Sequence, residues 1–195
     1  MPRPIAVAIT GGIGAGKSEA LVAFQKAGAA TVSSDEIVHH LLRTHAGVKE
    51  AIVRELGEEV LDEEGVVDRK RVAAIVFGDR GKLDFLERLL HPLVAAEYLR
   101  WREQLAELPD PPRVCVTEVP LLYETGGEKR FDKVVVITAP AKLREQRRRV
   151  TRDDRDQRLL PDKEKLKRAD FAYVNTGTLD ELDAWVAGVM AELTT

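Results

Sequence analysis

The stretch Ile5-Ala-Val-Ala-Ile-Thr-Gly-Gly-Ile-Gly-Ala-Gly-Lys-Ser18 decides the fold of this chain. Its first six residues form an apolar run, which is typical of a strand covered on both faces of a parallel sheet. The glycine-rich turn that follows satisfies the pattern G-x-x-x-x-G-K-[ST]. Helical spacing of small and apolar residues then predicts a helix from Lys17 to Lys26. Strand, turn and helix in this order predict a phosphate-binding loop.

The spacing within this loop has a physical reason. Glycines let successive backbone N–H groups turn toward phosphates, and the positive end of the following helix faces the same anion. Lys17 is expected to reach the β- and γ-phosphates, and Ser18 to ligate Mg²⁺ through its hydroxyl. The alternative is a glycine-rich turn in which both side chains are solvated. The predicted nucleotide-binding residues here are Gly12, Gly14, Ala15, Gly16, Lys17, Ser18 and Glu19.

The composition fits one folded domain, or a core with an inserted subdomain. The chain has 195 residues, 44% of them hydrophobic and 32% charged, and it contains no apolar run near the ~20 residues that span a bilayer. A net charge of −3 gives no basic field for nucleic acid or a membrane surface. No signal-peptide pattern opens the sequence, so we expect a cytoplasmic protein.

Cysteine and histidine give no sign of a metal site. The single cysteine, Cys115, excludes an intramolecular disulfide, and its apolar neighbours predict a buried core residue. His39, His40 and His45 lack the spacing of zinc ligands and are expected to be solvated helix residues. We therefore expect no metal other than the Mg²⁺ that accompanies the nucleotide.

The rest of the chain alternates strands and helices around a helical insertion. Apolar and β-branched runs predict strands over 29–32, 114–119, 133–138 and 171–174. Residues 45–108 carry helical patterns that are expected to break at Gly57, Gly65, Gly78 and Pro92, with a new helix starting at Pro92. The alternation predicts a three-layer α/β fold with a mostly parallel sheet.

Further segments occur in a fixed order after the loop. They are Ser33-Ser-Asp35, Asp68-Arg69, Leu90-His-Pro92, Val119-Pro-Leu-Leu-Tyr-Glu124 and Asn175-Thr-Gly177. Together with the loop, over roughly residues 5–185, they make the chain resemble the dephospho-CoA kinase family. The resemblance implies transfer of the γ-phosphoryl group of ATP to the ribose 3′-hydroxyl of dephospho-CoA. Without it, another small-molecule kinase or a nucleotide switch would satisfy the loop.

The resemblance also implies how the chain is divided. It predicts a single P-loop kinase domain with a helical substrate-binding insertion and a lid, and the lid of this chain is short because its lid stretch is several residues shorter than is usual in the family. The predicted parts are a nucleotide-binding core over 1–44, 109–143 and 168–195, a CoA-binding part over 45–108 and a lid over 144–167. ATP and dephospho-CoA are the expected partners, and a monomer or a small homo-oligomer is the expected assembly.

Asp35 lies at the carboxyl end of the second predicted strand, on the sheet edge that carries the loop. Ligands of open α/β sheets bind at this edge. The resemblance implies that Asp35 contacts the acceptor hydroxyl, where a carboxylate can accept its proton. Capping of the following helix is the alternative. The family usually has D-x-D here, and this chain has Ser33 at the first position, which weakens any role that needs two carboxylates.

The resemblance places three further side chains at the acceptor. It implies that His91 bonds a ribose or phosphate oxygen, that Arg69 contacts a phosphate, and that Glu124 lines the same cleft. The respective alternatives are a structural histidine, a surface salt bridge, and an N-cap or surface carboxylate. Glu118, at the end of a predicted buried strand, either holds a Mg²⁺-bound water or faces solvent.

Seven arginines lie between Arg144 and Arg158, interleaved with acidic residues. Arg148 and Arg152 are one helical turn apart and are predicted to close over the nucleotide as lid arginines, with Arg147 as an alternative register. Asn175 and Gly177 are expected to contact the adenine, or else to form a plain turn. The predicted catalytic residues are Lys17, Asp35 and Arg148.

Overall fold

The structure is a computed structural model that describes residues 3–147 and 159–195. It contains two compact units. The first consists of Met1–Ser33 and Arg102–Thr195, and the second of Ser34–Trp101. The second unit begins earlier than the helical part predicted over 45–108, because Val38 and Leu42 of the preceding helix belong to its core.

The first unit is built on a parallel sheet of five strands. They are β1 (Ile5–Thr10), β2 (Ala30–Ser33), β3 (Val114–Glu118), β4 (Lys133–Thr138) and β5 (Phe171–Val174), in the spatial order β2-β3-β1-β4-β5. All four pairs of neighbouring strands are parallel. The predicted sheet is therefore confirmed, with strand boundaries that differ by at most one residue.

Helices cover both faces of this sheet. With helices numbered along the described residues of both units, the first unit contains α1 (Lys17–Lys26), α6 (Ala141–Arg147), α7 (Asp162–Lys167) and α8 (Leu179–Thr194). Side chains alternate between the faces of a strand. Accordingly, Val7 and Ile9 of β1 pack with α1 and α8, whereas Ala8 packs on the other face with residues from the 119–131 connection and α7.

The second unit is helical. It contains α2 (Ser34–Thr44), α3 (Ala46–Leu56), α4 (Arg69–Val76) and most of α5 (Arg80–Ala106), with a short 3₁₀ turn over Glu58–Val60. These helices enclose their own apolar core, to which Val48, Ile52 and Val72 contribute. The helices end near Gly57 and Gly78 as predicted, so the helical character of this part is confirmed.

The break predicted at Pro92 is wrong. Pro92 lies inside α5, which runs without interruption for 27 residues. A proline there removes one backbone N–H donor and costs up to ~3 kcal/mol in a helix interior. Leu90 before it and Leu93 after it pack in the same apolar core. Burial of one continuous apolar face therefore outweighs the local cost.

Cys115 is buried in β3, as predicted. Burial raises the pKa of its thiol to about 11, so the group is protonated at neutral pH. A protonated, buried thiol is a poor nucleophile and a poor metal ligand. Across the described ranges, no helix combines the length and the apolar composition that a membrane span requires.

Candidate active site

The glycine-rich loop joins the carboxyl end of β1 to the first turn of α1. Gly16, the N-cap of α1, has a φ of 96°, in the left-handed region that favours glycine. A Cβ at this position would collide with the side-chain amide of Asn175. The strand, turn and helix predicted from the sequence therefore form, and the last glycine of the motif is required by both backbone conformation and space.

Lys17, Ser18 and Glu118 lie together beside this loop. The Lys17 ammonium donates a hydrogen bond to Gly12 O (3.1 Å) and lies 4.0 Å from Glu118 Oε1. The Ser18 hydroxyl donates to Glu118 Oε2 (3.3 Å). The side chains of Lys17 and Glu118 are only 10% and 13% exposed, so Glu118 does not face solvent as one interpretation of the sequence required.

Ser18 and Glu118 offer the chemistry that Mg²⁺ prefers. A hydroxyl oxygen and a carboxylate oxygen stand within hydrogen-bond distance of each other. Both are hard oxygen ligands, and Mg²⁺ at phosphate sites is commonly bound by one or two protein oxygens together with substrate phosphates and waters. No group of three or more metal-ligating side chains occurs in the part of the chain that the structure describes. The pair therefore fits a nucleotide-associated ion rather than an all-protein metal cage.

Asn175 follows β5 and holds the loop from the other side. Its side-chain amide donates to Ala15 O (3.0 Å), and its backbone N–H donates to Thr138 O (2.7 Å) at the end of β4. Asn175 is buried, with 6% of its surface exposed. Contact with adenine stays a prediction for Asn175 and Gly177. The hydrogen bond to Ala15 gives Asn175 a role in positioning the loop.

The predicted lid is described only at its two ends. Helix α6 ends at Arg147, whose guanidinium donates to Asn175 O at 3.5 Å. Arg148 and Arg152 lie outside the described residues. At the other end, Leu160 and Leu166 pack against an apolar cluster of the first unit. The roles proposed for the two lid arginines therefore stay predictions.

Asp35 and Arg69 form an ion pair in the second unit. Arg69 Nη2 donates to Asp35 Oδ1 (3.1 Å), and the two side chains are 54% and 72% exposed. Asp35 is the second residue of α2, so it does not occupy the N-cap position. The N-cap of the other helix, α4, is Asp68. Hydrogen bonds from Lys70 N and Arg71 N hold the pKa of Asp68 below its ordinary value.

The four histidines occupy exposed positions. His91 lies within α5, beside Pro92, and not at a helix start. His39 and His40 are solvated residues of α2, as predicted. His45 is not a helix residue: it caps α3, where its Nδ1 accepts a hydrogen bond from Val48 N (3.2 Å). An N-cap side chain satisfies a backbone N–H at the start of a helix by accepting its hydrogen bond. The imidazole of His45 does this for Val48 N.

Glu124 is largely buried and bound within the first unit. Its Oε1 accepts a hydrogen bond from Leu160 N (2.8 Å) and lies 2.8 Å from Lys165 Nζ, which is fully buried. Its Oε2 is buried without a hydrogen-bond partner among the described residues. Glu124 is therefore neither a surface residue nor a helix cap, and its contact with the acceptor stays a prediction.

Sequence reasoning missed three side chains of this region. Arg144 lies against the glycine-rich loop and forms an ion pair with Asp162, which also accepts a hydrogen bond from Thr138 (2.7 Å). Lys165 forms the buried pair with Glu124. Arg144 stands among seven arginines and Lys165 among charged neighbours, so neither has a sequence signal that distinguishes it.

Comparison with known proteins identifies the family. The family model described as dephospho-CoA kinase matches residues 5–181. A dephospho-CoA kinase from Mesorhizobium japonicum is 38% identical over 201 residues, with 97% of this chain and 96% of the relative covered. One from Aquifex aeolicus is 34% identical over 194 residues, with coverage of 96% and 97%. A crystal structure from Thermus thermophilus covers 100% of both chains, with a TM-score of 0.77 and 31% identity. This chain belongs to the dephospho-CoA kinase family.

Proposed function

We propose that the protein transfers the γ-phosphoryl group of ATP to the ribose 3′-hydroxyl of dephospho-CoA, the reaction of its family. One observation supports the binding of ATP, the phosphoryl donor. Lys17 and the Ser18–Glu118 pair lie together at the glycine-rich loop, where β1 and β3 end. A buried cation, a hydroxyl and a carboxylate at one loop are the groups that a Mg²⁺-nucleotide requires.

The loop would bind the phosphates of ATP. Its backbone N–H groups and the N-terminus of α1 provide partial positive charge that costs no reorganisation when the anion arrives. The proposed nucleotide-binding residues are Gly12, Gly14, Ala15, Gly16, Lys17, Ser18 and Glu19. On binding, Lys17 would exchange its hydrogen bond to Gly12 O for phosphate oxygens, where its charge stabilises the transferring group.

Ser18 would hold Mg²⁺ directly, and Glu118 would hold it directly or through a water. When bound, the ion neutralises charge on the phosphate oxygens. Glu118 has a second function that depends on no ion. Its carboxylate lies near Lys17 and accepts a hydrogen bond from the Ser18 hydroxyl, so it keeps both side chains beside the loop.

Asp35 would act on the phosphoryl acceptor, dephospho-CoA. Its carboxylate would accept the proton of the ribose 3′-hydroxyl while the hydroxyl oxygen attacks the γ-phosphorus of ATP and ADP leaves. General-base assistance of this kind contributes ~10²–10⁴-fold in rate. Arg69 pairs with Asp35 and so keeps a cation beside the carboxylate. We propose that Arg69, His91 and Glu124 bind dephospho-CoA, with Arg69 directed to a phosphate.

The remaining assignments concern closure over the nucleotide. Arg148 and Arg152 would place guanidinium groups on the charge of the transferring phosphoryl group, and Asn175 with Gly177 would contact the adenine. The short lid predicted here would exclude water less well than a longer one. We also propose that the enzyme works in the cytoplasm, as a monomer or a small homo-oligomer.

An incubation with ATP, Mg²⁺ and dephospho-CoA tests the reaction. Chromatography measures CoA and a coupled assay measures ADP, and we expect equal amounts of both. Nucleoside monophosphates and a sugar acid serve as alternative acceptors, and an acceptor-free sample measures hydrolysis. ADP without CoA would contradict the proposed acceptor, and the absence of both products despite ATP binding would contradict the kinase activity.

A further inference from the structure

We infer that Arg144, held by Asp162, is a positioning residue that fixes the glycine-rich loop for nucleotide phosphates. Arg144 is the middle residue of α6 and lies against the loop at two points. A Cβ on Gly12 would collide with Arg144 Nη1, and a Cβ on Gly14 would lie 2.9 Å from Arg144 O. At Gly14 a φ of 75° and the nearby backbone of Arg144 both favour glycine, so the helix and the loop are closely fitted there.

Asp162 connects this arginine to the sheet. Its Oδ2 lies 3.4 Å from Arg144 Nη1 and accepts a hydrogen bond from Thr138 Oγ1 (2.7 Å). Thr138 is buried at the end of β4. The series Gly12, Arg144, Asp162 and Thr138 therefore connects the first half of the loop to the end of β4. Asn175 ties the second half through Ala15 O.

Two cations lie beside the loop, and each has an acidic neighbour. Lys17 lies near Glu118, and Arg144 is paired with Asp162. Both cations approach Gly12, since Lys17 donates to its carbonyl oxygen and the Arg144 guanidinium lies against its Cα. Arg144 and Asp162 are each about one quarter exposed, so their interaction is partly shielded from solvent screening.

Arg144 also keeps an unused donor. Its Nε is buried and has no hydrogen-bond partner among the described residues. An arginine with a free donor beside a loop of backbone N–H groups adds positive charge where a phosphate chain would lie. Arg144 therefore serves the phosphates in two ways: it restricts the loop to one conformation, and it raises the local positive potential.

This inference rests on the nucleotide site proposed above, and it separates Arg144 from the lid arginines. Arg144 acts before any acceptor is bound, through residues of the first unit alone. The ligand class it serves is the nucleoside di- and triphosphates. Its loss should therefore change nucleotide binding, while the turnover of the saturated enzyme and the KM for dephospho-CoA stay nearly constant.

The test compares Arg144→Met, Arg144→Lys, Asp162→Asn and the double variant Arg144→Met/Asp162→Asn. Calorimetry measures the Kd for ADP without acceptor, and steady-state kinetics measure kcat and both KM values. Loss of a charge-assisted contact predicts about tenfold weaker ADP binding and an equal rise in the KM for ATP in Arg144→Met. Asp162→Asn should weaken ADP binding about threefold. The double variant should weaken it no more than Arg144→Met does.

Arg100→Met is the matched control, because Arg100 is exposed and pairs with Glu97 on its own helix. It should leave the Kd for ADP unchanged. If Arg144→Met lowers only the melting temperature, or if its effect and that of Asp162→Asn simply add, the inference is wrong. Should Arg144→Met fail to fold, Arg144→Lys provides the decision: about threefold weaker ADP binding supports the inference, and wild-type affinity overturns it.

The proposed nucleotide site has its own control. Lys17→Ala should lose phosphoryl transfer whatever the result at Arg144. Wild-type protein that binds no ADP would overturn the nucleotide site and the inference together. Normal ADP binding by wild type, with unchanged binding in every Arg144 and Asp162 variant, would overturn the inference alone.

Discussion

The two compact units present their candidate site residues in opposite ways. In the first unit, Lys17 and Glu118 are nearly buried, and the loop beside them is held by hydrogen bonds to Lys17 and Asn175. In the second unit, Asp35 and Arg69 are mostly exposed and contact each other across a single hydrogen bond. The comparison teaches that the residues proposed to bind ATP are held by contacts within the fold, whereas Asp35 and Arg69 are largely exposed to solvent.

The largest expected effect comes from the organised side. Lys17→Ala removes a preorganised cation, and we expect kcat to fall by ~10³-fold or more, since one such donor supplies ~10²–10³ and this one carries a full charge. Rapid-quench or coupled assays at saturating ATP measure the loss. Lys26→Ala, at the exposed end of the same helix, is the control and should retain activity. Comparable activity in both variants would contradict the role of Lys17.

The corresponding change on the exposed side is Asp35→Asn. We expect kcat to fall by ~10²-fold with an unchanged Kd for ATP, because the amide cannot accept the hydroxyl proton. The melting temperature should hardly change, since the Asp35–Arg69 pair is exposed and such pairs contribute ~0–1 kcal/mol. Glu55→Gln, on an exposed part of α3, is the control. Turnover near that of wild type would exclude Asp35 as the base.

The difference between the units also explains what the sequence could predict. The first unit contains apolar strand runs and a loop motif in which Gly14 and Gly16 have positive φ values that favour glycine, so pattern and structure agree closely. In the second unit the predicted break at Pro92 was wrong, because no local pattern records that Leu90 and Leu93 share one core. Asp35, Arg69 and His91 were proposed largely through the resemblance, since exposed polar residues leave no periodic signal, and their roles stay predictions.

Residues that act through other side chains were the hardest to predict. Contact of Asn175 with the adenine stays a prediction, and the structure adds a hydrogen bond from its amide to a carbonyl oxygen 160 positions earlier in the chain. Arg144 and Lys165 pair with Asp162 and Glu124, which lie 18 and 41 positions away in the chain. Such pairs depend on tertiary placement, and a single sequence contains no spacing that encodes them.

The buried pair Glu124–Lys165 tests how far the first unit depends on its internal charges. Removing one partner of a buried ion pair leaves an uncompensated charge, which costs ~3–5 kcal/mol. We expect Lys165→Met to lower the free energy of unfolding by about 3 kcal/mol in urea titrations. Lys165→Met/Glu124→Gln should recover part of this loss, because the unpaired carboxylate is then gone.

Lys167→Met is the matched control for this pair. Lys167 lies on the same short helix, is exposed and pairs with Glu164 within one helical turn, so its loss should cost less than ~0.5 kcal/mol. Equal destabilisation by the two substitutions would contradict the role of burial. A double variant less stable than Lys165→Met alone would contradict the uncompensated charge as the cause.

Asn175 offers a smaller and more specific test of loop organisation. In Asn175→Ala the hydrogen bond to Ala15 O is lost, and we expect about a tenfold rise in the KM for ATP and a lower melting temperature. Asn175→Asp has nearly the same shape but directs an acceptor at the carbonyl oxygen, so it should be the worse variant. A raised KM with an unchanged melting temperature in both variants would favour adenine contact over loop positioning.

The smallest expected effect concerns Asp132, which fastens the start of β1. Its Oδ2 accepts a hydrogen bond from Ala6 N (2.8 Å), and its Oδ1 accepts one from Arg3 (2.7 Å). Burial opposes the charged form, but the Ala6 hydrogen bond and the Arg3 guanidinium outweigh it and hold the pKa of Asp132 below its ordinary value of 3.8. A carboxyl group with a lowered folded-state pKa stabilises the fold above its unfolded-state pKa, and this contribution is lost as the pH falls through the folded-state value.

Asp132→Asn should therefore lower the free energy of unfolding by less than ~1 kcal/mol at pH 7, because the carboxylate is partly exposed and screened. The difference in unfolding free energy between Asp132→Asn and wild type should shrink as the pH falls below 3.8. The wild-type carboxyl group then becomes protonated and loses its charge. Urea titrations between pH 7 and pH values near 3 measure it. Asp110→Asn, in an exposed connection, should show no such convergence, and a difference that stays constant with pH at Asp132 would mean that the charge does not stabilise the strand.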